Sequence, residues 1–511
     1  HFHSGLDMST KGVVGVGVKS VADGYVSRIK ISPYGYGHAL YITHDDGNTT
    51  VYGHLQGYCD KIEAVVRREQ YKHKSFEIDV MLKKGEINVK RGEIVAFSGN
   101  TGGSGGPHLH FEVRDTKTEE PLNPLAYLEA IPDALAPTIY GIKLYGQNDS
   151  AQIAGRCSNR YYSLKEIEGQ TIDVFGEIGA GVHAVDYFVQ GGRPCGVSEI
   201  KLYDGETLVF HSLIDRFSFD DTRFINSHID YAERAKNQRF VQKSFTDPNN
   251  KLKIYRAEKS VRVRENEIHN MRYELMDFNG NRRSVKFAVR GKRNPQALKR
   301  RHKGEKAEWA KTWAKDTLGI SVVISRESLY KDEWIEIEGI NLNNDVSIYQ
   351  IGTEQTGLQK AISITLPIAD VQKKNADRLF LGKVNEKGVL SFVDKGVISG
   401  DMLTGKSKTF GQFTIGVDTI APKIWTKNTR TRLTQHNNIM IGISDNLSGI
   451  RKYNCYIDGQ WVCMEYDYKQ TRLWNKVSKL SLKAGDHVIE AVIEDECGNE
   501  SRWTWNFTIV D

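Results

Sequence analysis

The chain has no apolar run approaching the ~18 residues that a membrane-spanning helix needs, so no span is expected in its 511 residues. It has no Cys-x-x-Cys spacing. Its six cysteines stand apart at 59, 157, 195, 455, 463 and 497, which argues against a zinc site held by cysteines. It also lacks a dominant sign of charge. Seventy basic residues against 64 acidic ones leave +6, a mild balance that gives no pointer to nucleic acid. At about 150 residues per domain, the length predicts three or four domains.

What the chain does have is a split set of metal-ligating residues. His3-Ser4-Gly5-Leu6-Asp7 opens it, and Pro107-His108-Leu109-His110-Phe111-Glu112 follows much later. A catalytic zinc takes three protein ligands from His, Cys or Asp/Glu and keeps a fourth position for water. His3, Asp7 and His110 would supply nitrogen, oxygen and nitrogen. His108 and the His54 of Tyr52-Gly53-His54-Leu55 remain for proton transfer. Side chains two apart on a strand share a face, so His108, His110 and Glu112 point one way while Leu109 turns to the core. The glycine-rich run 99–106 reads as a tight loop delivering that strand, and Gly5 permits a bend between His3 and Asp7. Glu112 reads either as an acceptor behind the ligands or as an ordinary structural pair. His38 and His44 read as strand or turn residues rather than ligands. The chain begins just before His3, so a preceding segment carrying a signal sequence is expected.

Together with Ala22-Asp23-Gly24-Tyr25-Val26 and Gly35-Tyr36-Gly37-His38, these segments resemble, in type and order, the lysostaphin/LytM-type zinc endopeptidases across roughly residues 1 to 130. The resemblance implies one Zn2+ held by His3, Asp7 and His110, with His54 and His108 catalytic and the division of their roles open. All five positions are intact. It also implies a water acidified from about 15.7 to roughly 7, donors aimed at a tetrahedral oxyanion and histidines that move protons. The implied substrate is the peptide cross-link of bacterial peptidoglycan, cut in the periplasm or at the cell envelope. Stem-peptide cross-links are favoured over glycine bridges, because no wall-targeting module of the lysostaphin kind is recognisable. Two other readings stay open. A structural or accessory subunit of an outer-membrane or envelope assembly would co-purify with membrane proteins. A protease acting on proteins or peptides would cleave an unstructured protein.

The rest of the chain reads as β structure, so the expected fold is all-β and mainly antiparallel. A peptidase sheet domain (1–132) precedes three β-sandwiches, at 133–291, 292–417 and 418–511. Residues 60–80 read as a short helix or loop, and Asn123 to Leu128 as a closing helix. The first and last sandwiches share an internal repeat and are expected to be immunoglobulin-like. Ala136-Pro137 is echoed by Ala421-Pro422, Tyr203-Asp204-Gly205 by Ile457-Asp458-Gly459, and Asp277 to Asn281 by Asp495 to Asn499. Asp-Gly between alternating strands is a hairpin signal. The first sandwich carries an insertion near Phe210 to Leu252, whose polar stretch 230–238 reads as a short helix or loop. Residues 292–306 are basic and read as a solvated linker, with anionic wall polymer or lipid as the other reading. Trp309 and Trp313, four apart, suit a short helix packing one face. A two-residue turn at Asp458-Gly459 would set Cys455 against Val462, whereas a three-residue loop would align Cys455 with Cys463. Tyr161, Tyr162, Trp425 and Trp461 are candidates for exposed binding aromatics, with sheet packing as the alternative.

Overall fold

The structure, a computed structural model, describes residues 3–128, 131–189, 191–342 and 346–510. Its residues gather into two compact units. One comprises His3–Pro124, Ile368–Leu403 and Ile415–Asp511, the other Leu125–Pro367 and Thr404–Thr414.

The first unit begins with β1 (Leu6–Ser9), β2 (Gly17–Lys19), β3 (Gly24–Ile31), β4 (His38–Thr43), β5 (Asn48–Leu55) and β6 (Gly57–Tyr58). Helix α1 (Asp60–His73) follows, then β7 (Ile78–Met81), β8 (Asn88–Val89), β9 (Ile94–Phe97), β10 (His108–Asp115) and β11 (Pro121–Leu122). The main sheet runs β1-β10-β5-β4-β3-β7, with β8 on β3 and β11 on β10, and a smaller sheet runs β2-β9-β6. In the middle of the main sheet, β4 is buried except at Thr43 and β5 except at Asn48. Their Val, Ile, Leu, Thr and Tyr residues suit a pleated surface covered on both faces.

The 60–80 segment resolves as a fourteen-residue helix, α1. Ile62, Val66 and Gln70 bury one stripe, the i, i+4, i+8 spacing of an amphipathic helix. Asp60 and Glu63 lie in its first turn and Lys72 and His73 in its last, which complements the helix dipole. Lys74 ends it in the left-handed region and donates its N–H to Gln70 O and Tyr71 O.

The same unit contains the C-terminal sandwich. One sheet pairs Lys423–Thr426, Asn438–Ser444, Arg472–Lys476 and Glu465–Asp467, and the other is built on Ile450–Ile457, Gly485–Asp495 and Glu500–Ile509. Ile439, Ile441 and Ile443 alternate into the core against Ile489, Ala491 and Ile493, the period of two that a half-buried strand requires. Asp458 (φ 50°) and Gly459 (φ 78°) form the two-residue turn, with positive φ at both positions as the tight hairpin demands. Cys455 therefore faces Val462, and every cysteine is a free thiol. Helix α1 packs on this sandwich. Lys479 Nζ reaches Glu63 Oε1 at 2.5 Å, Arg67 donates to Ser481 Oγ at 3.0 Å, and the Tyr71 and Trp461 rings meet edge to face at 5.4 Å.

The second unit carries the first sandwich. Thr138–Gly146, Thr171–Val185, Arg282–Gly291, Ile268–Met276, Glu199–Asp204 and Thr207–Leu213 follow one another across one large sheet. Ile142, Val182, Tyr273 and Leu275 lie in its core. Within the insertion, the 230–238 stretch forms a helix, Tyr231–Asn237. Lys143 ties it down by donating to Asp230 at 2.7 Å and Glu233 at 2.9 Å, all three being nearly buried.

One expectation is corrected, and for the four aromatics the sheet-packing reading describes all but Trp425. Trp309 lies in a turn and Trp313 opens the strand Trp313–Thr317, which pairs with Ile320–Ile324. The i, i+4 spacing of two aromatics is equally compatible with a strand that meets a turn. Of the four aromatics, Trp425 alone is exposed, and it covers Gly442, where a Cβ would meet its ring at 2.1 Å. Tyr162 is buried, Tyr161 bonds His183, and Trp461 packs on Tyr71.

Candidate active site

The register of two strands brings the widely separated motifs together. β1 pairs antiparallel with β10 so that Asp7 lies opposite His110 and Ser9 opposite His108. On the other side of β10, His110 lies opposite Gly53 of β5. A Cβ at Gly53 would stand 3.2 Å from the Tyr36 ring and 3.4 Å from His110 Cβ, so the glycine leaves room for the imidazole. Gly5 is required for a different reason from a bend. A Cβ there would stand 2.2 Å from Phe111 O, and its φ is not in the left-handed region.

Asp7 Oδ1 is the focus of three rings. His110 Nδ1 lies at 3.0 Å, His3 Nε2 at 3.1 Å and His108 Nε2 at 3.4 Å. Ligand bonds of about 2.0–2.2 Å hold tetrahedral ligand atoms ~3.3–3.6 Å apart. The two imidazole-to-Asp7 distances therefore lie within a few tenths of an ångström of the spacing that zinc imposes, and all three ligand atoms lie within 4.8 Å of one another. Their N, O and N donors are a zinc set, and the residues fit that ion. The side chains of His3 and Asp7 are 50% and 38% exposed while that of His110 is 5% exposed, so one side of the cluster faces solvent, as a catalytic site with an open position requires.

Glu112 stands behind His110. It is fully buried and accepts from His110 Nε2 at 2.8 Å, Tyr36 Oη at 2.6 Å and Arg114 Nε at 2.7 Å, and also from Ser4 Oγ. Its bond to His110 leaves Nδ1 directed at Asp7, the arrangement by which a carboxylate fixes the orientation of a ligating imidazole. Burial alone would push His110 down, but the carboxylates of Asp7 and Glu112 outweigh it and raise it to about 9. Burial alone would likewise raise Glu112, but His110 and Arg114 hold it down at about 2. Asp7 is held well below the usual carboxylate range, its partial burial being outweighed by hydrogen bonds from His110 and His3. A cation held by Asp7 and His110 would stand where His110 Nδ1 otherwise shares a proton with Asp7 Oδ1.

His54 and His108 flank this cluster with ring centroids 4.8 Å apart. His54 Nδ1 lies 2.8 Å from Thr101 O, and His108 Nδ1 lies 2.8 Å from Gly106 O. A carbonyl only accepts, so each Nδ1 carries hydrogen and each neutral ring keeps its lone pair on Nε2. Burial lowers His54 to about 4, which keeps it unprotonated at neutral pH. His54 has φ 58°, a sparsely populated conformation for a non-glycine residue and one that clusters at functional sites.

The loop 99–106 holds both histidines through its carbonyls. Gly103 N–H donates to Gly35 O at 2.7 Å, and a Cβ at Gly102 would lie 2.3 Å from Gly37 N, so the Gly35-Tyr36-Gly37 segment and this loop need each other's glycines. Ser104 Oγ lies 3.1 Å from His108 Nδ1. Lys469 of the C-terminal sandwich donates to Ser104 O at 3.1 Å and also to Asn100 O. The Lys469→Ala variant is expected to turn over about tenfold more slowly with unchanged metal content, since small misplacements of catalytic groups are costly. A muropeptide-release assay reads this, and a parent-like rate would mean that the loop holds itself.

The structure thus brings together all five residues singled out in the sequence. His38 and His44 lie outside the cluster. His38 stacks on Tyr58, and His44 bridges Asp23 O and Thr50 Oγ1 at 2.8 and 2.9 Å. Tyr36, Arg114, Thr101, Ser104 and Lys469 were missed. Arg114 had a signal, because it continues the two-residue period of His108, His110 and Glu112.

Comparison with known proteins gives two family matches, peptidase family M23 over residues 67–124 and a Zu5-like domain over residues 304–418. The DD-carboxypeptidase/endopeptidase Mpg of Neisseria meningitidis serogroup B is 31% identical over 131 residues, 26% of this chain and 24% of that protein. The peptidoglycan DD-endopeptidase ShyB of Vibrio cholerae is 38% identical over 111 residues, 22% of this chain and 20% of that protein. A solved zinc-containing peptidase from Vibrio cholerae is 34% identical, covering 22% of this chain and 26% of that one, with a TM-score of 0.15. The matched region thus spans about a quarter or less of the curated relatives' length.

Proposed function

From a chain that carries an M23, lysostaphin-type peptidase domain and a Zu5-like β domain, we propose a zinc-dependent endopeptidase that hydrolyses peptide cross-links of bacterial peptidoglycan. One observation carries the reading. His3 Nε2 and His110 Nδ1 lie 3.1 and 3.0 Å from Asp7 Oδ1, beside two histidines whose Nδ1 atoms are committed to carbonyls. His3, Asp7 and His110 would hold the ion, and zinc, when bound, acidifies a water and polarises a carbonyl.

The chain's own groups do the rest. His54 and His108 each keep the Nε2 lone pair for proton transfer, that of His108 lying 3.4 Å from Asp7 Oδ1. One takes a proton from the attacking water, and one, once protonated, donates to the oxyanion or to the leaving amine. Glu112 keeps His110 turned toward Asp7. The substrate class is drawn from the curated relatives, one a DD-carboxypeptidase/endopeptidase and the other a peptidoglycan DD-endopeptidase by name. That substrate puts the site of action outside the cytoplasm, in the periplasm or at the cell envelope. Among the described residues no helix is long and apolar enough to cross a membrane.

The test is digestion of purified cross-linked peptidoglycan by the zinc-loaded chain and by its Asp7→Ala variant, with fragments read by mass spectrometry. Loss of dimeric muropeptides with the parent alone is the expected result, and the new termini identify the bond. Equal fragment patterns from a parent carrying one zinc would overturn the reading and favour an accessory role in an envelope assembly.

A further inference from the structure

The internal repeat does more than mark two similar sandwiches. Asp133 lies three residues before Ala136, and Asp418 lies three before Ala421. Asp186 directly follows the strand Thr171–Val185, and Asp445 directly follows Asn438–Ser444. The strand pairs Thr138↔Val185 and Lys423↔Ser444 bring these aspartates to the same end of their sandwiches. The third member closes a strand in each copy, as Asp277 after Ile268–Met276 and as Asp495 at the end of Gly485–Asp495. In each copy, one oxygen from each of the three carboxylates lies within 4.8 Å of the others.

The surroundings repeat as well. Asp277 accepts from the Asn281 N–H at 2.9 Å and from Asn281 Nδ2 at 2.7 Å, while Nδ2 donates to Asp133 O at 3.1 Å. Asp495 accepts from the Asn499 N–H at 2.8 Å and from Asn499 Nδ2 at 2.7 Å, while Nδ2 donates to Asp418 O at 2.9 Å. An asparagine thus fixes the third carboxylate and the incoming segment in the same way twice.

Two carboxylates of each set are buried, while Asp133 and Asp445 are half-buried. Asp186 is 4% exposed and Asp277 2%, and Asp418 is 1% exposed and Asp495 0%. Asp186 Oδ1 and Asp133 Oδ2 in the first copy, and Asp445 Oδ1 in the second, are buried without any hydrogen-bond donor. Among the described residues, no lysine, arginine or histidine is ion-paired with any of the six. Two buried carboxylates and one half-buried one, with oxygens that lack a donor, are costly to bring together unless a cation joins them. The donors are all oxygen, which suits a hard ion, and two Ca–O bonds span about 4.6–5.2 Å.

We propose that each of these two sandwiches binds one Ca2+, between Asp133, Asp186 and Asp277 in the first and between Asp418, Asp445 and Asp495 in the last. Each ion ties the segment entering its sandwich to the ends of two core strands. The sites are distinct in place and chemistry from the histidine-rich centre.

The test is calorimetric titration of the zinc-loaded full chain with CaCl2, alongside Asp186→Asn, Asp445→Asn and the double variant. Two ions per parent chain are expected, with dissociation constants in the range of about 10⁻⁴–10⁻³ M or tighter that extracellular modules show. Each single variant is expected to take up one ion and the double variant none. Asparagine keeps the side-chain shape, and circular dichroism of the variants checks that they fold. No uptake by the parent up to ~10 mM Ca2+, one ion per parent chain, or uptake retained by the double variant would overturn the proposal.

Discussion

Replacing His108 by alanine is expected to slow release of muropeptides by about 10²–10⁴-fold, with one zinc still bound per chain. The argument rests on what each nitrogen of the ring does. His108 Nδ1 is committed to Gly106 O at 2.8 Å and Nε2 faces the metal cluster, 3.4 Å from Asp7 Oδ1. Removing the ring takes away a proton acceptor without removing one of the three convergent donors. His54 should behave alike, but the replacement has to respect its backbone. At φ 58° alanine would add strain, whereas asparagine tolerates the left-handed region. His54→Asn is therefore the cleaner variant, and the same 10²–10⁴-fold order of loss is expected. Rates on cross-linked peptidoglycan, with zinc measured by atomic emission on the same samples, separate loss of chemistry from loss of metal. Parent-like turnover in either variant would remove that histidine from proton transfer. Loss of zinc from His108→Ala would instead make it a ligand.

The difference between legible and illegible parts of this molecule lies in the range of the interactions. His108, His110 and Glu112 share a face because a strand has period two, and this holds in any fold that keeps them on a strand. His3 and Asp7 reach the same point through the pairing of β1 with β10, which spacing alone does not fix. It was readable because five segments in order resembled a known family. Gly5 was read as a bend, whereas its lack of a side chain serves the close approach of Phe111 O, a contact between residues far apart in sequence. Lys469 could not be found at all. It reaches the 99–106 loop from the C-terminal sandwich, and a lone lysine in a single 3-10 turn, Tyr468–Gln470, carries no periodic signal. Trp309 and Trp313 misled because aromatic spacing over five residues does not distinguish one helical turn from the start of a hairpin. The repeated aspartates show the converse. The repeat was visible as turn chemistry, but the middle member of each carboxylate set, Asp186 or Asp445, lies just past a strand end with no sequence mark of its own.

Removing the Glu112 carboxylate is the second change with a large expected effect, and two variants divide its two roles. Glu112→Gln keeps an oxygen facing His110 Nε2 and loses the charge. Partners that orient a ligating histidine are worth about 10–100-fold in metal affinity, so zinc should bind more weakly by that factor in a chelator competition. Both variants remove the charge to which Arg114 donates at 2.7 Å, but Glu112→Ala also removes every polar atom at this position, with both side chains nearly or fully buried. Breaking a buried pair by removing one partner costs about 3–5 kcal/mol, a large share of the ~5–15 kcal/mol that holds a domain folded. The peptidase domain of Glu112→Ala should therefore unfold at clearly lower denaturant than that of Glu112→Gln, read by proteolysis of the 1–124 region in the metal-free chain. The sign of the comparison decides between roles. If the two variants unfold together and bind zinc as the parent does, Glu112 is an incidental acceptor. If Glu112→Gln is as stable as the parent but binds zinc weakly, the carboxylate acts on the metal through His110, and the Arg114 pair contributes little to the fold.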